Sequence, residues 1–277
     1  MNTSNNIRFL TREQLDGITQ LKIMKLNGRL MSVTDFSILL GAHVSNNHLK
    51  LKDNDLKNRT GYYYTSSSIA SNYIYSVESD GQIIGLDPRL RTFAARPAIY
   101  LPSNFNKYEL KANKMMEIEY GEYPQMAVSE DKNIKLEKLF AQNILKETGK
   151  IYTTDSNKWD DYNAEFEPMQ HIEYNYYGKK YIRVISKSII HGNKEEKLSN
   201  GLTLNMVENK PVWIGVDPIT WYYDDIEKLL LSKKGIFSGV RSVDSVNFMN
   251  NYFSKEIIST NEYLKNKEKQ GNARVKK

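Results

Sequence analysis

The chain contains no cysteine. That excludes a disulfide framework, thiol catalysis and thiolate zinc sites, and it fits a reducing, cytoplasmic setting. Histidine is scarce. The four are His43, His48, His171 and His191, no two at helical metal-binding spacing, and no HExxH occurs. His43 and His48 share a polar stretch with Asp53 and Asp55 but not the spacing of a metal site. Asp53-Asn54-Asp55 opens like a calcium loop, yet Asn58 stands where the turn requires glycine, and Tyr64 where the bidentate glutamate belongs. No metal and no cofactor is expected. No apolar run approaches the ~20 residues that span a bilayer, and residues 1–17 have no signal-peptide core, so no membrane partner is expected. Phosphate-cradling GxxxxGKS/T and GxGxxG patterns are missing, and Ser66-Ser67-Ser68 has no nucleophile-elbow context.

What is present is tyrosine: 19 residues, against 9 phenylalanines and 3 tryptophans. Tyrosine joins a large contact area to a polar end, which suits half-buried strands and binding surfaces alike. The 277 residues, 40% hydrophobic and 26% charged, are enough for one large core or two smaller ones. The net charge is +6, part of it in a tail running from Lys265 to Lys277. A basic surface of Lys179, Lys180 and Arg183 together with that tail offers a route to nucleic acid.

Along the chain, Thr11 followed by Gln14 predicts a helix N-terminus with a capping box, and Thr34 caps a short helix that stops at Gly41. Residues 42–59 read as a polar loop. Gly61–Ser66 and Tyr73–Glu78 alternate as strands do, and Asp80-Gly81 predicts a tight turn into a returning strand, Gln82–Leu86. Phe93–Leu101 reads as a strand restricted by Pro97. Residues 106–114 read as a linker. Asp131–Lys146 has a helical period closed by Thr148-Gly149-Lys150. His171–Tyr177 and Lys179–Ser186 predict a hairpin about Gly178. Lys210–Val216 and Thr220–Tyr223 read as two strands interrupted by Asp217-Pro218, with Leu229–Ser232 after them. Asp244–Lys267 is helical by spacing, and 268–277 reads as a basic disordered tail. Short helices mixed with antiparallel-type strands give an α+β class. The expected domains are 1–105 and 115–243, followed by the helix 244–267.

Candidate chemistry is thin. Asp160-Asp161 and Asp224-Asp225 are adjacent acids, which point to opposite faces of a strand and form no acid–base dyad by spacing. His171 with Asp155 or Glu173 is the one combination that offers a hydrolase or lyase, without a motif behind it. Arg96, beside Pro97 in an apolar segment, needs a carboxylate or backbone carbonyls as partner. Asp35 is a conceivable one, and both residues are read as structural.

The order Thr60-Gly61-Tyr62-Tyr63-Tyr64-Thr65-Ser66, Tyr73-Ile74-Tyr75-Ser76-Val77, Asp80-Gly81 and Ala94-Ala95-Arg96-Pro97-Ala98 resembles the C-type-lectin-like fold of formylglycine-generating-enzyme-like domains. Over residues 7–258 the chain resembles a bacterial and prophage group, domain of unknown function 6273. The resembling segments are Val33-Thr34-Asp35-Phe36 with Leu39-Leu40-Gly41, Gly121-Glu122-Tyr123-Pro124-Gln125, residues 148–156, Gly178-Lys179-Lys180-Tyr181-Ile182-Arg183 and Asp217-Pro218-Ile219-Thr220-Trp221. The resemblance implies a lectin-like first domain and no known activity. The oxidase members of the broader fold need cysteines, which this chain lacks. The calcium-dependent lectin triplets survive only as the fragments Glu167-Pro168-Met169 and Trp159-Asp160-Asp161.

The expectation is therefore a non-catalytic binding protein that holds a macromolecular partner, a protein above all, through Tyr62, Tyr63, Tyr64, Tyr73 and Trp159. Its specific form, drawn from the phage-like setting of the resembling group, is an inhibitor of a bacterial defence system of CRISPR type. Nucleic-acid binding through the basic surface and a hydrolase remain the alternatives.

Overall fold

The computed structural model describes residues 7–16, 29–45, 59–70, 72–101, 116–156, 163–185, 195–224 and 227–258. The helix caps and the hairpin turn marked in the sequence form as expected. After strand β1 (Ile7–Arg8), Thr11 caps helix α1 (Arg12–Leu15): its hydroxyl accepts from Gln14 N at 3.3 Å, and Gln14 Oε1 accepts from Thr11 N at 2.9 Å. Strand β2 (Ser32–Val33) leads to Thr34, whose hydroxyl accepts from Ser37 N and starts α2 (Asp35–Leu39), every residue of which is buried. Strands β3 (Val44–Ser45), β4 (Thr60–Gly61) and β5 (Tyr63–Ala70) follow. The predicted hairpin forms between β6 (Tyr73–Val77) and β7 (Ile83–Leu86), with Asp80 Oδ1 accepting from Gln82 N inside the turn. Strand β8 (Ala98–Tyr100) closes this part.

The rest comprises β9 (Met116–Ala127), α3 (Glu130–Ala141), β10 (Lys146–Asp155), β11 (Pro168–Tyr176), β12 (Lys179–Ile185), α4 (Leu204–Val207), β13 (Pro211–Asp224), β14 (Leu229–Ser232) and β15 (Lys234–Gly235). It ends in α5 (Ser242–Phe248), a π-helical turn (Met249–Phe253) and α6 (Ser254–Ile258). Several boundaries differ from the sequence reading: β3 lies within residues 42–59, read as a loop, and of the strand read over Phe93–Leu101 only Ala98–Tyr100 forms β8. Helix α3 ends at Ala141 because Asn143 takes a left-handed backbone (φ 55°), so Thr148-Gly149-Lys150 belongs to β10. Asp217-Pro218 does not break β13. Register shifts on both sides of it absorb the missing proline N–H, and Gln125 Nε2 donates to Asp217 O at 2.9 Å and to Pro218 O at 2.8 Å.

β13 is the spine of an eight-stranded sheet. β9 pairs with one of its edges over nearly its whole length. On the other edge, β12 pairs with the first half and β14 with the second. The first branch continues to β11 and β10, the second to β8 and β1. Alternation along β12 and β13 sends Tyr181 and Trp213 to a small cluster with Leu136 of α3, and Ile182, Val184, Val212 and Ile214 to the main core on the opposite face.

The class is α+β. The linker expected over 106–114 and the tail 268–277 lie outside the described residues, as does the part of the 244–267 helix after Ile258. Strands from either side of residues 106–114 share the large sheet, since β8 pairs with β14, and one hydrophobic core contains Phe36, Tyr64, Trp221 and Phe253 together. A four-stranded sheet likewise joins β15 to β2, β4 and β3. The two segments expected as separate domains are thus built into each other.

Arg96 and Asp35 are both buried, as a structural role requires, but Asp35 takes Arg59 as its cation. Arg96 donates to Ser232 O at 3.1 Å and to Tyr63 Oη at 3.3 Å. The Asp35 carboxylate also accepts from Ser199 N at 2.8 Å, Ala127 N at 2.7 Å and the Ser199 hydroxyl. Asp35→Ala would strand a buried guanidinium and two backbone N–H groups. We expect a loss of about 3–5 kcal/mol in urea unfolding at constant m-value.

Candidate functional site

The predicted aromatic surface divides. Tyr63 and Tyr64 are interior: Tyr63 Oη donates to Arg29 O at 2.8 Å, and Tyr64 Oη to the carbonyls of Leu90 and Val240. Their rings span the core and their phenols reach carbonyls that would otherwise go unpaired, so neither meets a partner. Tyr62 is half-buried and stacked on Phe93 (centroids 5.5 Å, planes 15° apart). Tyr73 is 53% exposed. Trp159 lies outside the described residues.

The basic trio divides too. Lys180 pairs with Glu122, and Arg183 pairs with Glu137 at 2.8 Å while lying over Phe140. Lys179 is exposed and makes no ion pair among the described residues.

The acid–base candidates are all buried and hydrogen-bonded or ion-paired. Asp155 is buried against Arg91 and accepts from Glu167 N at 3.1 Å. His171 Nε2 is 2.8 Å from Thr154 Oγ1, and its ring meets Phe36 edge-on. Glu173 accepts from Tyr152 Oη and Thr148 Oγ1, both at 2.7 Å. Each side chain is engaged in its own buried contact.

Sequence reading missed two features. The first is a buried polar row between β10 and α6. Gly121 of β9, at φ 68°, lets this helix approach so closely that a Cβ there would meet Ile257 Cβ at 3.1 Å. Glu256, one residue before, is thereby pressed against β10 and accepts from Thr153 N at 2.8 Å. Burial pushes its carboxyl up to about 7, against the pull of Thr153 and Lys150. Burial also raises the phenols of Tyr123 and Tyr152, each aided by a neighbouring glutamate, and lowers the Lys150 ammonium. The available signal was Glu256 itself, a charge on the helical stripe of Met249, Phe253 and Ile257.

The second is the tip of the β11–β12 hairpin. Tyr177 is 88% exposed with φ 50°. Tyr176 meets it edge-on at 4.6 Å and carries Lys135 Nζ at 5.6 Å over its ring. Elsewhere, α3 and α4 border an open groove of about 720 Å³ that includes the exposed Ile134 and Met206.

No helix of the described residues is long and apolar enough to cross a membrane, and no group of three His, Asp or Glu among them could hold a metal ion. Comparison with known protein families, curated proteins and solved structures finds no match.

Glu256 makes stability depend on pH in a definite direction. Its folded-state pKa of about 7 exceeds the ordinary 4.5, so the folded chain holds the proton more tightly. Its contribution to stability is therefore fully present below about pH 4.5, is lost as pH rises to about 7, and is level above that, by up to about 3 kcal/mol. Glu196, pushed up to about 7 by burial, adds a slope of the same sign. Glu256→Gln should flatten the Glu256 share of the slope and melt higher than the parent at pH 8, as followed by thermal unfolding across pH 4.5–8.

Proposed function

We propose that the chain is a non-catalytic binding protein that engages a macromolecular partner through exposed aromatic side chains. The observation that carries this reading is the fate of the candidate catalytic groups: His171, Asp155 and Glu173 are each held in buried contacts with Thr154, Arg91 and Tyr152. Meanwhile Tyr73 and Tyr177 present their rings to solvent. An exposed tyrosine supplies contact area at small entropic cost, since only two side-chain torsions must be fixed on binding. The surface is thus taken to be Tyr73 and Tyr177 rather than Tyr63 and Tyr64.

The lectin-like reading of residues 1–105 belongs to the same proposal. It is supported by the β6–β7 hairpin and by the return of β8 to β1. An inhibitor of a CRISPR-type defence complex is the specific form of this function, and its support is the resemblance to the prophage group.

The test is affinity capture from lysate of a bacterium carrying such a defence system, with the parent chain beside a Tyr73→Ala/Tyr177→Ala variant. A discrete partner held by the parent and at least about tenfold less by the variant, at unchanged melting temperature, is the expected result. Equal retention by both removes this surface. A turnover activity that His171→Ala abolishes would overturn the non-catalytic reading.

A further inference from the structure

The β11–β12 hairpin closes on a two-residue loop, Tyr177-Gly178, because Tyr176 pairs directly with Lys179. Both loop residues have positive φ, 50° and 75°. This is the primed turn for which Asn-Gly is the best sequence, since both central residues must enter the left-handed region. Glycine suits its place. Tyrosine does not: a bulky side chain there strains the backbone, where asparagine would sit more easily. Folding gains little in exchange, because the ring is 88% exposed and its described ring contact is the edge of Tyr176. An aromatic ring held in water at a conformational cost is placed for something outside the chain.

The surroundings indicate what. Lys135 Nζ lies 5.6 Å over the Tyr176 ring, and Lys132 Nζ 4.6 Å over the Tyr181 ring, both reaching from α3 towards the hairpin. Lys179 stands across the ladder from Tyr176. None of the three makes an ion pair among the described residues, whereas Lys180 and Arg183 are neutralised by Glu122 and Glu137. Of the acidic groups nearby, half-buried Asp217 faces Lys179 and Lys132, whose charges pull its carboxyl down against the burial that raises it. The corner therefore joins one exposed aromatic ring, Tyr177, to three ammonium groups, of which Lys132 and Lys179 share a single half-buried carboxylate and Lys135 hydrogen-bonds the Tyr176 phenol. A polyanion with flat apolar faces between its charges matches both, and a single-stranded nucleic acid is that polymer. A base can stack on Tyr177 while phosphates meet Lys135, Lys179 and Lys132. A duplex keeps its bases stacked inside and offers the ring nothing. An acidic protein surface would use the lysines and leave the ring idle.

We infer that the β11–β12 tip, Tyr176 and Tyr177 with Lys132, Lys135 and Lys179, is a binding site for single-stranded nucleic acid. This rests on the non-catalytic binding reading and names the partner class for one of its two exposed tyrosines. The test is fluorescence anisotropy of the full chain with labelled 12-nucleotide single strands of RNA and of DNA, the matching duplex, heparin, and vesicles containing phosphatidylserine. Because the tail lysines and Arg274 give every polyanion a background affinity, differences between variants are read.

Tyr177→Asn removes the ring and suits the left-handed backbone, so it should melt no lower than the parent. It should weaken single-strand binding about tenfold, the loss of one stacked base, and leave the salt dependence unchanged. Lys135→Ala and Lys179→Ala should each make the slope of log K against log salt shallower by about 0.7. The RNA and DNA arms identify which sugar the site prefers. A loss on Tyr177→Asn as large for duplex, heparin or vesicles as for the single strands, or a Tyr177→Asn variant that binds single strands like the parent, overturns the assignment. If single strands fail while a captured protein still depends on Tyr177, the partner class is wrong and the binding reading stands. If neither depends on Tyr177, both fall.

Discussion

The fold depends first on a buried charge. Asp35 is fully enclosed at the start of α2, and an isolated carboxylate there would cost several kcal/mol in lost hydration. It is tolerated because donors converge on it from distant parts of the chain: Arg59 before β4, Ala127 at the end of β9, and Ser199 in the loop before α4. Asn200 Nδ2 then donates to Val128 O at 2.8 Å, which fastens the same loop a second time. A five-residue helix has little stability of its own. α2 persists because its cap, its buried side chains and this carboxylate fix it to all the segments around it.

The β13 spine gives that junction its reach. Its 14 residues hold β9 along one edge and two separate branches along the other. One face of the β12 branch carries α3 on Trp213 and Tyr181. The opposite face carries the main core, with Phe36 and Phe253 packed around Tyr123 and His171. The branch therefore ends in a hairpin whose base is rigid while its tip stands clear of the core. The proposed contact surface would gain from such a base, which limits the ordering cost of binding.

Local structure was legible from sequence wherever a residue type has a local reason. Thr11 with Gln14, Thr34, Asp80-Gly81 and Gly178 marked caps and turns, and those elements form. Partners distant in sequence were not legible. Nothing in Arg59 or Ser199 announces Asp35, and Arg96 finds Ser232 instead. The tyrosine surface was half misjudged for a physical reason. Consecutive Tyr63 and Tyr64 should face opposite sides of β5, with one outward, yet both sides of this strand are covered at its start. Pro218 was read as a break because the side-chain amide of Gln125, 93 residues away, cannot be seen from the sequence near Pro218. Tyr177 passed as an ordinary strand-end residue until its backbone conformation was known.

The return of β14 and β15 to the first strands also governs the order in which the protein can be made. β8 has β1 as one neighbour, and its second edge waits for Leu229–Leu231. Likewise β2 waits for Lys234-Gly235. On a ribosome moving at about 5–20 residues per second, the first hundred residues spend on the order of ten seconds outside the exit tunnel with those edges open. Half-made chains of this protein therefore hold open strand edges that can mispair with those of neighbouring nascent copies.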